Sequence, residues 1–195
     1  MSQFIRRSQV REYQNHLKRE LEIVFDENVC DEWSSMRDEV HLQVYSPRLD
    51  IAVGPFATHE RLGYEYDQIL RRKKPKAFIE KLIEINKQNQ IQDGFVTPLD
   101  YEDIIYQNFN ARCLIAVEIE NNVSRKHLMG GAINASALGR IGILIPWSDE
   151  KLRAFVKLFR YLQYLGEAEK NTFKTSNLLI ITKAQMEEAF QTVFE

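Results

Sequence analysis

At 195 residues the chain has room for one domain with a sizeable core. Its 44% hydrophobic and 28% charged residues and net charge of -2 describe an ordinary globular protein, excluding a disordered chain and one that is basic throughout. No run of about 18 apolar residues occurs, so no membrane-spanning helix is expected. The segment Met1–Arg7 lacks the apolar run and small-residue cleavage site of a secretory signal, and the expectation is a cytoplasmic protein. Cys30 and Cys113 lie far apart without a CxxC partner; they read as reduced, mostly buried thiols, not as a disulfide or a zinc knuckle.

Val10, Tyr13, Leu17, Leu21 and Val24 recur every three or four residues, which predicts a long first helix ending near Asn28. A polar stretch over 31–38 follows. Val40, Leu42 and Val44 then alternate with His41 and Gln43, Ser46-Pro47 interrupts, and Leu49, Ile51 and Val53 resume the alternation up to Gly54-Pro55. That pattern predicts a hairpin or bent strand pair with Asp50 just past the turn. Residues 57–111 read as a helical insertion within a single domain spanning 1–195. Pro75 opens one helix, with Phe78, Leu82 and Ile85 on its buried face, and Pro98 opens a shorter one with Asp100, Glu102 and Asp103 in its first turn. Residues 88–94 read as a polar turn between them. The run Arg71-Arg72-Lys73-Lys74-Pro75-Lys76 is either a solvated face or a phosphate contact.

Cys113–Val117 is continuously apolar, as in a strand buried on both faces, and leads into Glu118-Ile119-Glu120. A helix from Ser124 (as N-cap) to Leu138, stopped by Gly139, comes next. Then come a strand over 141–146, an amphipathic helix over 149–165, a strand over 178–181 and a closing helix over 184–194. This order predicts an α/β fold, a central mixed sheet flanked by helices. Gly130-Gly131 with Ala132, Ala135 and Ala137 gives the helix after the acids a face without bulk, read as close packing on the sheet. Asn134 on that helix is a candidate polar contact.

The chemistry concentrates in acids. Glu118 and Glu120, two apart on a strand, share a face, and like charges so placed raise each other's pKa unless a cation joins them. Mg²⁺ takes one or two carboxylates plus waters and phosphate oxygens. Asp50, beyond the Pro47 turn, is the candidate third acid.

Pro47-Arg48-Leu49-Asp50 followed by Ala116-Val117-Glu118-Ile119-Glu120 resembles the PD-(D/E)XK nuclease superfamily, the restriction-endonuclease-like fold. The order of elements matches it from about residue 10 to 182. The resemblance implies a Mg²⁺- or Mn²⁺-dependent endonuclease acting on DNA. Asp50 and Glu118 would bind the metal with the Ile119 carbonyl, and Glu120 would stand where the family usually has lysine. In this ExE variant Glu120 would hold a second metal or position water, and Lys126 is a candidate substitute for the lysine. Arg48, Arg125, Arg72 and Lys73 are candidate phosphate contacts, and cleaving both strands of a duplex points to a homodimer. His127 reads as a surface or packing histidine, and Trp33, Tyr64, Tyr66, Tyr101 and Tyr106 as packing or base-stacking groups. The second expectation is a nuclease-like fold that binds nucleic acid or a protein partner without cutting. GxSxG, HExxH, GxxxxGK and GxGxxG motifs are absent from the sequence.

Overall fold

A computed structural model describes residues 2–36, 46–57, 60–97, 99–121, 124–170 and 174–194. The predicted strand at Val40–Val44 lies outside the described residues, as does Pro98. Helix α1 (Ser2–Phe25) carries the expected apolar stripe, with Leu17, Leu21 and Phe25 fully buried. It leads into β1 (Val29–Ser34), in place of the expected polar stretch. That strand is hard to read because only Val29 and Trp33 are buried, and Glu32 takes a positive φ of 48°, which twists it.

Strand β1 pairs antiparallel with β2 (Arg48–Val53), and β2 pairs antiparallel with β3 (Cys113–Glu120). Strands β3, β4 (Gly139–Pro146) and β5 (Leu178–Ile180) run parallel, completing a five-stranded mixed sheet in the order β1-β2-β3-β4-β5. The parallel links are helical crossovers, through α5 (Arg125–Leu138) and α6 (Asp149–Glu167). The architecture is therefore α/β, a mixed sheet flanked by helices, as the strand–helix alternation predicted.

Ile115, Val117, Ile119, Ile141, Ile143 and Ile145 point to one face of the sheet. They meet α1, α3 (Lys73–Gln92) and α7 (Lys183–Phe194) there. Ala116 and Leu144 point to the other face, onto Leu128, Ala132 and Ala135 of α5 and Phe155, Val156 and Phe159 of α6. Helix α5 lies very close to the sheet: a Cβ on Gly142 would come within 2.9 Å of the Ala135 backbone. Gly139 is extended, with no left-handed turn, so α5 passes straight into β4. A Cβ there would sit 2.7 Å from the Ala116 Cβ. Ser124 occupies the N-cap position of α5, but its hydroxyl caps nothing.

Two further helices, α2 (Gly63–Leu70) and α4 (Tyr101–Ile105), complete the 57–111 segment. The acidic first turn expected for the second of these is a capping box, in which Asp100 and Asp103 each bond the other's backbone N–H. Residues 88–92 belong to α3 and are not a turn. Their polarity has another cause. Strand β5 has no strand partner on its far side among the described residues, and α3 covers it. Asn86 Oδ1 accepts from the Ile180 N–H at 2.9 Å, and Asn89 Nδ2 donates to the Ile180 carbonyl at 2.9 Å.

Candidate active site

Because β3, β4 and β5 are parallel and β2 runs against them, one edge of the sheet collects the carboxyl ends of the parallel strands, the start of β2 and the end of β1. Open α/β sheets generally bind their ligands beyond this edge. Glu118 and Glu120, Asp50 and Glu32 all lie there.

The β2–β3 register ends at Ile51 opposite Val117. Beyond it the Asp50 side chain takes over the role of a ladder partner: Oδ2 accepts from the Ile119 N–H at 2.6 Å. Its other oxygen, Oδ1, is reached by Gln14 Nε2 of α1 at 3.5 Å. Asp50 thus turns toward the Glu118 strand end. Glu118 points to the α5 face, where Asn134 Nδ2 reaches its Oε1 at 3.4 Å. Above it Gly131 leaves room, since a Cβ there would meet Glu118 carbons at an ordinary 3.7 Å.

The electrostatics follow from this placement. Burial, then the charges of Glu32 and Glu120, hold the Asp50 carboxyl up at about 6 against the pull of the Ile119 N–H. Burial and, next, the Asp50 charge push Glu118 up to about 9, opposed by the Asn134 amide. Burial and neighbouring carboxylates outweigh the neutral donors at both groups.

The expected cage of three carboxylates is not assembled. Among the described residues no group of three or more His, Cys, Asp or Glu side chains converges tightly enough to hold a metal ion. Two residues of strand separate Glu118 from Glu120 by roughly 7 Å. What the fold brings together is the Asp50–Glu118 pair, with Glu120 and Glu32 acting on it at longer range. Two carboxylates still suit Mg²⁺, which keeps several waters and takes the rest of its oxygens from substrate.

No family model, no curated protein and no solved structure matches the chain.

The candidate cations divide. Arg48 stands at this edge, mostly exposed, with Nη1 3.4 Å from Glu32 Oε2. Arg125 opens α5, and Lys126 beside it is exposed, a quarter-turn or more from the Gly131–Asn134 stripe that faces Glu118. His127 lies on that stripe, one turn before Gly131, and is exposed. Arg72 is at the opposite end of the sheet, bonded to the Phe25 carbonyl and to Glu27 just before β1. Lys73, at the start of α3, lies there with it. Arg71 bonds the Tyr106 hydroxyl and Lys76 pairs with Glu80, so the basic run is partly occupied within the protein.

Of the aromatic residues, Trp33 is buried and stacks on Phe56. Tyr66 and Tyr101 are buried with their hydroxyls on the carbonyls of Pro55 and Leu70, and Tyr106 stacks on Phe109. Packing, not base stacking, accounts for these four. Tyr64 is exposed. Cys113 is buried and Cys30 partly so, both as free thiols.

Sequence reasoning passed over Gln14, Glu32 and Lys151. Lys151 is buried in the first turn of α6 and donates to Asn121, at 2.6 Å to its carbonyl and 3.2 Å to its side chain, immediately after Glu120. The only local signal for it was a lysine at an otherwise acidic helix start.

Proposed function

We propose that the chain is a divalent-metal-dependent phosphodiesterase acting on DNA, with the carboxylates of Asp50 and Glu118 as its metal ligands. The observation that carries this reading is the convergence of these two acids. They come from strands distant in the chain, and they sit half-buried at the ligand-binding edge of the sheet with both pKa values raised. A divalent cation supplies what such a pair lacks.

When bound, Mg²⁺ or Mn²⁺ would lower the pKa of a coordinated water and neutralise charge on the scissile phosphate. The protein's own groups have distinct tasks. The Ile119 N–H and Gln14 fix both oxygens of Asp50, and Asn134 orients Glu118. Glu120 accepts a proton from attacking water as general base, with a carboxylate in the place of the customary lysine. Arg48, Arg125 and Lys126 contact substrate phosphates. Cleavage of both strands would use a homodimer, and a cytoplasmic setting agrees with two free thiols. No helix among the described residues is long and apolar enough to cross a membrane.

One observation favours a second reading, a domain that binds nucleic acid or protein without cutting. Asp50 is already engaged by the β3 backbone, as a purely structural cap would be. Calorimetric titration with Mn²⁺ or Mg²⁺ separates the two. The wild type should bind metal and Asp50→Ala should not, and plasmid nicking should disappear in Glu118→Ala. Metal binding that survives in Asp50→Ala defeats the nuclease reading.

A further inference from the structure

Trp147 directly follows β4, and its N–H donates to the Glu120 carbonyl at 3.1 Å, which fixes the residue beside the acidic strand end. Tyr13 of α1, next to the Gln14 that reaches Asp50, packs edge-on against the Trp147 ring at 5.9 Å. Over both rings stands the ammonium of Lys183, 3.9 Å from the Trp147 centroid and 4.8 Å from that of Tyr13. The Trp147 support is thus one backbone hydrogen bond from Glu120, and the Tyr13 support neighbours the Gln14 that reaches Asp50.

Lys183 is the first residue of α7, and that helix start is rigid. Thr182 and Gln185 form reciprocal bonds, Thr182 N–H to Gln185 Oε1 at 2.9 Å and Gln185 N–H to Thr182 Oγ1 at 3.3 Å. The nearest acid on the same helix face, Glu187, is committed to His16 at 2.9 Å. Among the described residues no carboxylate pairs with Lys183. A half-buried lysine laid on indole and phenol faces is held there by cation–π attraction. It also retains its hydrogen-bonding capacity for a ligand.

We propose that Lys183 is a further phosphate-contacting cation beside the acidic site and holds the nucleic-acid backbone against it. This rests on the nuclease reading for the identity of the ligand. Its role is positional: the ammonium, placed by Trp147 and Tyr13, offers an incoming phosphodiester a cation beside an edge otherwise lined by acids.

The test uses the full chain carrying Glu118→Gln, so that binding is read without cleavage, and a short DNA duplex titrated over a range of salt. Lys183→Met keeps the apolar stem over the rings and removes the charge. It should weaken binding by roughly three- to tenfold and lower the slope of log affinity against log salt by about one, with Lys183→Arg restoring the slope. Far-UV circular dichroism and a cooperative thermal transition confirm that each variant is folded. An unchanged slope in folded Lys183→Met, or a parent chain that binds no duplex, overturns the inference. The metal titration of Asp50→Ala is independent of this slope. Metal binding that survives in Asp50→Ala, together with a reduced slope here, would remove the nuclease chemistry and leave the phosphate contact standing.

Discussion

Glu118 shows how much a single side chain can set against its own fold. Its carboxyl is raised by burial and by Asp50, and Asp50 is raised in turn by burial and by Glu32 and Glu120. In the unfolded chain both groups titrate near 4. Between that value and about 6 for Asp50 or about 9 for Glu118, the native state holds protons that the unfolded chain has released. Stability therefore falls as pH rises across the window, and the full cost is present above about 9. Below pH 4 both states are protonated and the cost vanishes. Glu118→Gln keeps the shape without the charge and should be more stable than wild type at pH 8, by on the order of 2 kcal/mol in metal-free buffer. Urea unfolding at pH 4.5 and pH 8 checks this. A variant less stable than wild type at pH 8 would mean that the native state does not strain to ionise this residue.

At the scale of elements, α5 and its two kinds of glycine set the distance between the acids and their cover. Gly131 faces Glu118 with space for a methyl group, whereas Gly142 of β4 touches the α5 backbone. Gly131→Ala should gain up to about 1 kcal/mol from helix propensity. Gly142→Ala should lose several kcal/mol, since helix backbone must move to admit its Cβ. Thermal unfolding of the two variants gives opposite signs if α5 seats on the sheet as described. The same elements show what local sequence conveys. The buried strands β3 and β4 and the helix between them were legible because continuous apolar runs have few alternative explanations. Strand β1 and the end of α3 were not. The twist at Glu32 breaks the alternation in β1, and the asparagines of α3 look like a turn until the β5 edge that they satisfy is known. The site divided in the same way. Asp50 and Glu118 were visible as acids beside apolar runs. Gln14 and Glu32 come from α1 and β1, which only long-range pairing brings to that edge.

Across the whole molecule, a buried charge holds the 57–111 segment against the sheet. Arg140, fully buried at the start of β4, donates to Asp67 of α2 at 2.8 Å and to the Asn108 carbonyl at 3.1 Å. Its guanidinium also lies 4.6 Å from the Phe109 ring centroid. Burying a guanidinium costs several kcal/mol, and here a carboxylate, a carbonyl and an aromatic face together offset that cost. Arg140→Met fills much of the volume but strands Asp67 and the Asn108 carbonyl, so it should destabilise the protein by about 3 kcal/mol. The double variant Arg140→Met with Asp67→Asn should recover part of the loss, because the unpaired carboxylate is then gone. Recovery in the double-mutant cycle identifies the ion pair as the clasp between segment and sheet. Strictly additive losses would assign the effect to packing around Tyr106 and Phe109 instead.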